Sequence, residues 1–252
     1  MVDECCRTGF KWDGRPVGRE GTLDKNRTYI TGTNEDAAVL LVHDLYGWTL
    51  PNLRLLADHF AQEAHCTCYI PDFYNGEGFS EETLDAAVQD PARFKLLDLE
   101  SFFERNSKEK ITPELIACAK ALKLKYKRVG AVGYCWGGWG CLRLAARGND
   151  LVDCISIAHP SFVEKSEIDA IGVPIQIVAP ETDSQLTPEL KEYCNKVIPT
   201  FGVPYQYDYY PDLSHGFAGK GDPKDKKQKD GLERAKNSAV SWFNVFLHPS
   251  DA

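Results

Sequence analysis

Long hydrophobic runs are missing from this sequence. The best of them, Ala37 to Val42, is six residues, far short of the about 20 needed to cross a bilayer, so no membrane span is expected. Positive charge is in short supply as well. Twenty-nine Lys and Arg face 37 Asp and Glu, a net charge of −8, and an acidic chain makes a poor partner for nucleic acid. No Cys-x-x-Cys occurs, and no His/Cys cluster has zinc-finger spacing, so no metal is expected. Neither G-x-G-x-x-G nor Gly-Lys-Ser/Thr is present, which argues against a phosphate-cradling loop and its nucleotide cofactors. Internal repeats and low-complexity linkers are absent too. The first residues, Met-Val-Asp-Glu-Cys-Cys-Arg, carry no apolar signal region. With an odd number of cysteines, nine, the expectation is reduced thiols in the cytoplasm.

What is present is alternation. At 252 residues and 43% hydrophobic, the chain can bury a substantial core as one domain, residues 1–252. Ala37–His43 is a continuous apolar run that fits a buried parallel strand. Further strands are expected at Cys66–Ile70, Arg128–Val132, Cys154–Ala158, Pro174–Ala179 and Tyr205–Tyr210. Helical spacing lies between them: from Asn52, from the Thr112-Pro113-Glu114 start, from Trp136 to about Arg147, from Thr187-Pro188-Glu189, and in a final helix lined by Leu232, Trp242 and Phe243. Gly219–Lys236 reads as a solvated loop leading to that helix. Repeated strand–helix alternation implies a doubly wound, mostly parallel sheet with helices on both faces. Residues 73–111 exceed a plain crossover, and form either an insertion that could cover a pocket or a crossover with an extra helix.

In such sheets chemistry sits just past the carboxyl ends of strands. There, after 128–132, stands Gly133-Tyr134-Cys135-Trp136-Gly137-Gly138, a G-x-C-x-G with cysteine at the nucleophile elbow. A side chain at that sharp turn points out of the sheet, and the following N–H groups can stabilise a thiolate or an oxyanion. A cysteine nucleophile needs a base, and the base an orienting acid, in the chain order nucleophile, acid, histidine. Asp183 follows the strand at 174–179, and His215 the strand at 205–210. Glu181 competes as the acid; Asp183 is preferred because it sits deeper in the loop before the Thr187 helix. The oxyanion donors are expected to be the backbone N–H groups of Leu45 and Trp136. Asp44 is an acid near the thiol or a loop cap. His43 is expected to orient its loop, and His159 to line the pocket or serve as a structural histidine. Trp48, Tyr74, Trp139 and Phe217 suggest a flat apolar pocket.

These residues resemble the dienelactone hydrolase (carboxymethylenebutenolidase) family, an α/β-hydrolase branch with a cysteine nucleophile. The resemblance is carried by His43-Asp44-Leu45-Tyr46-Gly47, Pro71-Asp72-Phe73-Tyr74, the Cys135 elbow, Asp183 and His215-Gly216-Phe217. Cys5-Cys6 with Gly9 and Gly14 resembles its fungal branch. The resemblance implies a Cys135–His215–Asp183 triad that hydrolyses an ester or lactone through a thioester-linked acyl-enzyme, without a cofactor. Two positions depart from the bacterial enzymes: Asp44 stands where they have glutamate, and Phe217 is followed by Ala218-Gly219-Lys220 rather than by a carboxylate-binding arginine. The expected partner is a small ester or lactone, with the chain a monomer or homodimer. The alternatives are a thioesterase, cyclase or isomerase on a polyketide-like substrate, and a non-catalytic thiol sensor.

Overall fold

The computed structural model describes residues 14–220 and 225–249. Cys5, Cys6 and Gly9 lie outside the described residues. Among those described, eight strands form one sheet: β1 (Arg19–Leu23), β2 (Asn26–Thr31), β3 (Ala37–Val42), β4 (Thr67–Pro71), β5 (Arg128–Tyr134), β6 (Cys154–Ala158), β7 (Ile175–Thr182) and β8 (Tyr205–Ser214). Their order is β1-β2-β4-β3-β5-β6-β7-β8. β2 runs antiparallel to both its neighbours, and the pairings from β4 through β8 are parallel.

β3 shows why the apolar runs read as strands. Ala38, Leu40 and Val42 enter one core, while Ala37, Val39 and Leu41 enter the other. Successive side chains leave opposite faces, and each face is roofed by helices. α5 (Lys108–Lys125), α6 (Gly137–Leu144) and α8 (Pro188–Val197) cover the first face through Leu115, Leu142 and Cys194. α1 (Pro51–Glu63) and α9 (Lys226–Leu247) cover the second through Leu56, Phe60, Trp242 and Phe243. Fully burying one such Leu or Phe contributes about 1.5–3 kcal/mol. α7 (Lys165–Asp169) is a short turn between β6 and β7.

Several boundaries differ from expectation. The β1–β2 hairpin is absent from the apolar pattern because its strands are largely polar; it closes at Asp24, whose φ is +52°. β8 runs on through Pro211 to Ser214, which a sheet-edge strand tolerates because its outward N–H needs no partner. α5 begins at Lys108, so Pro113 lies inside it. Burial of Ile111, and the Lys108 ammonium held by Glu164 and Glu167, favour the earlier start. The segment 219–236 is not all loop. Asp225 caps α9, and Lys236 is buried on an ion pair with Glu63.

Within 73–111 lie α2 (Glu81–Gln89), α3 (Pro91–Phe94) and α4 (Leu99–Arg105). The start of this segment is tied down at several points. Phe79 N–H donates to Leu45 O at 3.0 Å, and the Tyr46 hydroxyl to Asp85 at 2.8 Å. The Lys220 ammonium reaches Glu81 at 2.9 Å and Asp85 at 3.1 Å. Among the described residues no helix is long and apolar enough to cross a membrane.

The glycines of the elbow are required by contact. A Cβ on Gly137 would lie 2.0 Å from Val42 O, and one on Gly133 would lie 2.3 Å from Gly137 O. Gly137→Ala should therefore destabilise the fold by about 3 kcal/mol, read as a fall in the urea midpoint. A midpoint equal to wild type would show that the β3–α6 approach is loose.

Candidate active site

The end of β5 passes into α6 through one left-handed residue, Cys135, with φ +51°. That conformation is strained for a residue with a Cβ, and backbone hydrogen bonds hold it. Cys135 N–H donates to Ala158 O at 3.1 Å, and Cys135 O accepts from Gly138 N–H at 3.0 Å and Ser161 N–H at 2.8 Å. Of the described cysteines only Cys135 is not buried. Burial pushes the Cys66, Cys118 and Cys194 thiols up to about 12, so those three are inert at neutral pH.

His215 follows β8, its N–H anchored on Thr182 O at 3.1 Å. Its Nδ1 lies 3.0 Å from both carboxylate oxygens of Asp183, and the Cys135 sulfur lies near the same ring. Burial opposes a charged ring here, but Asp183 and Cys135 outweigh it and push His215 up to about 10. Asp183 is itself fixed, accepting from the N–H groups of Gln185 at 2.8 Å and Leu186 at 3.1 Å. Burial raises its carboxyl, but His215 and these amides hold it below the ordinary range. Glu181 is exposed and engaged elsewhere, accepting from Asp212 N–H at 2.6 Å. Three side chains expected from three separate strand ends thus meet.

The β3 loop closes the other side. His43 is fully buried. Its Nε2 accepts from Phe73 N–H at 3.2 Å, so Nδ1 carries the proton and donates to Asp44 O at 2.9 Å. Burial drops His43 to about 4, which keeps it neutral and holds the loop in place. Asp44 is buried, with Oδ1 accepting from Tyr46 N–H at 3.0 Å. Burial pushes its carboxyl up to about 7, against the pull of the Tyr46 amide and of the charges on His215 and Lys220. The N–H groups of Leu45 and Trp136 donate to no acceptor among the described residues. His159 is 1% exposed and left-handed at φ +37°, its ring centroid 4.9 Å from that of His215. Neither of its ring nitrogens has a partner among the described residues, and burial drops it to about 3. Phe217 is buried 5.9 Å from His159.

Two of the expected pocket residues are not brought to this space. Trp48 lies under the guanidinium groups of Arg27 and Arg54, 5.0 and 4.8 Å from its ring, in the core on the α1 side. Trp139 is buried in the other core beneath the Lys108 ammonium. Both follow from position: Trp48 opens the α1 turn, and Trp139 lies on a helix wedged against the sheet. Ser161 was not singled out from sequence, yet its hydroxyl lies 3.3 Å from the Cys135 sulfur. The signal was available, since Ala158-His159-Pro160-Ser161 follows β6, the strand next to β5. Surface hollows of about 420 and 490 Å³ lie elsewhere, lined by residues such as Thr31 and Asp58, or Leu213 and Arg234. Among the described residues no three His, Cys, Asp or Glu side chains converge to hold a metal ion.

A thiol, an imidazole and a carboxylate in line, beside free amides, is an arrangement suited to acyl transfer. Comparison with known proteins gives the same class. The model of the dienelactone hydrolase family matches residues 27–247. The chain belongs to that family. It is 27% identical to the hydrolase tropI of Talaromyces stipitatus, with 96% of each chain covered. It is 25% identical to the human carboxymethylenebutenolidase homolog, again over 96% of each. The crystal structure of a dienelactone hydrolase from Anabaena variabilis superposes with a TM-score of 0.62 at 14% identity, covering 92% of this chain and 98% of that one. This dienelactone hydrolase family member is an α/β-hydrolase acting on esters or lactones.

The pair His215–Asp183 links stability to pH. His215 is raised from 6.5 to about 10, so its contribution is complete below about 6.5 and is lost as pH rises through 10. Asp183 is lowered from 3.8, so its contribution is present above that value and is lost in acid. The thermal midpoint of His215→Gln should fall furthest below wild type between about pH 4 and 6.5, and approach it by pH 10. A gap constant from pH 6 to 10 would contradict the assignment.

Proposed function

We propose that this chain hydrolyses activated esters or lactones through a thioester on Cys135. The observation that carries the reading is the His215 ring, bonded to Asp183 through Nδ1 and close to the Cys135 sulfur. His215 takes the thiol proton and holds the thiolate as an ion pair. The sulfur attacks the acyl carbon, and the Leu45 and Trp136 N–H groups receive the oxyanion. His215 returns its proton to the leaving alkoxide, then takes one from water, which attacks the thioester and frees both the acid and the thiol. Asp183 keeps the imidazole oriented and stabilises its charge.

The substrate follows from leaving-group chemistry. A thiolate leaves readily, so the tetrahedral adduct reverts unless the alcohol leaves at least as well. Enol lactones, aryl esters and thioesters satisfy this condition. The Lys220 ammonium is already paired with Glu81 and Asp85 and lacks the planar fork of arginine. An acyl group without its own carboxylate therefore suits the site better than dienelactone itself. Asp44, buried among partners that include His215, is suited to exchanging a proton near neutral pH.

Cys135→Ala should lower turnover of p-nitrophenyl acetate by roughly 10⁴-fold or more, and iodoacetamide should modify Cys135 before the six other described thiols. Asp183→Asn should lose roughly 10²–10⁴-fold, and Glu181→Gln little. Steady-state kinetics and peptide mapping read both outcomes. Unchanged turnover in the alanine variant would remove Cys135 as nucleophile.

A further inference from the structure

Tyr74 is fully buried, and its hydroxyl has no hydrogen-bond partner among the described residues. A buried hydroxyl left unpaired costs about 1–3 kcal/mol, so this one calls for an explanation. The ring is not loosely placed. Tyr74 N–H donates to Asp72 Oδ1 at 3.1 Å, which fixes the backbone. The ring meets His43 edge-on at 4.6 Å, Trp136 at 4.8 Å and Phe102 at 4.9 Å. His43 and Trp136 are the residues that set the two amides assigned above to the oxyanion. His43 grips the Asp44 carbonyl, which precedes the Leu45 N–H, and Trp136 carries the second amide itself. The Tyr74 ring therefore packs against both residues that set the proposed oxyanion site. Burial pushes its pKa well above the ordinary tyrosine range, and the charges of Cys135 and Asp44 act on it in the same direction. It stays protonated, a donor, in the field of the nucleophile.

We propose that the Tyr74 hydroxyl is a third donor to the acyl oxygen, engaged once the sulfur has added to the carbonyl carbon. The proposal rests on Cys135 as the nucleophile. As the S–C bond forms, the C=O π pair moves onto oxygen, and Tyr74 donates a hydrogen bond to that oxygen without giving up its proton. When the adduct collapses, the C=O bond re-forms and the leaving alkoxide takes its proton from His215. A solvent molecule stops at van der Waals contact with the sulfur. An acyl group bonded to the sulfur comes closer, and so its oxygen can reach a donor that water does not. A contact made only in the adduct lowers the barrier without tightening substrate binding. The orphaned hydroxyl is then a cost in the resting enzyme that the transition state recovers.

The test is Tyr74→Phe, which keeps the ring and removes only the oxygen. Removing one oxyanion donor costs about 10²–10³ in kcat. We expect kcat for p-nitrophenyl acetate to fall within that range while KM changes little. Cys135 should alkylate with iodoacetamide at the wild-type rate, since that reaction makes no oxyanion. Inhibition by an aliphatic aldehyde, which adds reversibly to the thiol and places an oxygen in the same position, should weaken by a similar factor. The thermal midpoint should be unchanged or raised, because no bond is lost. Full turnover in Tyr74→Phe, with Cys135→Ala inactive, overturns the proposal alone. A parallel loss of alkylation overturns it as well, by placing the hydroxyl on the thiol instead. Activity in Cys135→Ala overturns the reading beneath it.

Discussion

The elbow at Cys135 depends on three backbones approaching more closely than a side chain would allow. Gly137 touches the carbonyl of Val42 at the end of β3, Gly133 touches Gly137, and Gly138 touches Pro160 beyond β6. With α6 drawn in this far, the chain between Gly133 and Gly137 turns through a left-handed residue, and the three hydrogen bonds on Cys135 hold it there. The consequence is chemical. The sulfur leaves the sheet at the start of a helix, where unpaired amides and the helix dipole favour negative charge. A looser junction would turn the same thiol into one more of the buried, inert cysteines.

Around that point the sheet acts as an address system. β3, β5, β6, β7 and β8 all run in one direction, so their carboxyl ends deliver the Asp44 loop, the thiol, His159 with Ser161, Asp183 and His215 to one edge. Each group is then held from outside the cluster: Asp183 by the amides of Gln185 and Leu186, His215 by Thr182, and the Asp44 loop by His43. The site is thereby preorganised, and the ion pair does not have to build its own geometry. The α2 segment is fastened to the same edge through Tyr46 and Lys220, which engages the Lys220 ammonium.

How legible the site was depended on the kind of residue. Cys135, Asp183 and His215 could be grouped from sequence because each follows an expected strand and their chain order is that of a nucleophile, an acid and a histidine. Asp183 could be preferred to Glu181 on loop position alone, and the loop's own amides, those of Gln185 and Leu186 ahead of α8, fix the acid. Trp48 and Trp139 misled, because a large aromatic near a motif reads as a pocket wall whichever way its ring turns. The hairpin β1–β2 was invisible for the opposite reason. The exposed edge strand β1 leaves no apolar signature, and the hairpin is placed by β2 pairing with β4. The early start of α5 likewise follows from Lys108 finding Glu164 and Glu167, 56 and 59 residues away.

By itself the sequence determined the class of fold and pointed to the three central groups, because both are written in local order: apolar runs, turn residues, and a cysteine framed by glycines. It could not settle which side chains share a space. Ser161 comes beside the thiol, and Tyr74 against His43 and Trp136, through packing between segments distant in the chain. Whether a hydroxyl is paired, a carboxyl buried or an ammonium already engaged is decided only when those segments close on one another. Hydrogen bonding and desolvation depend on neighbours in space, and those neighbours are a property of the folded sheet.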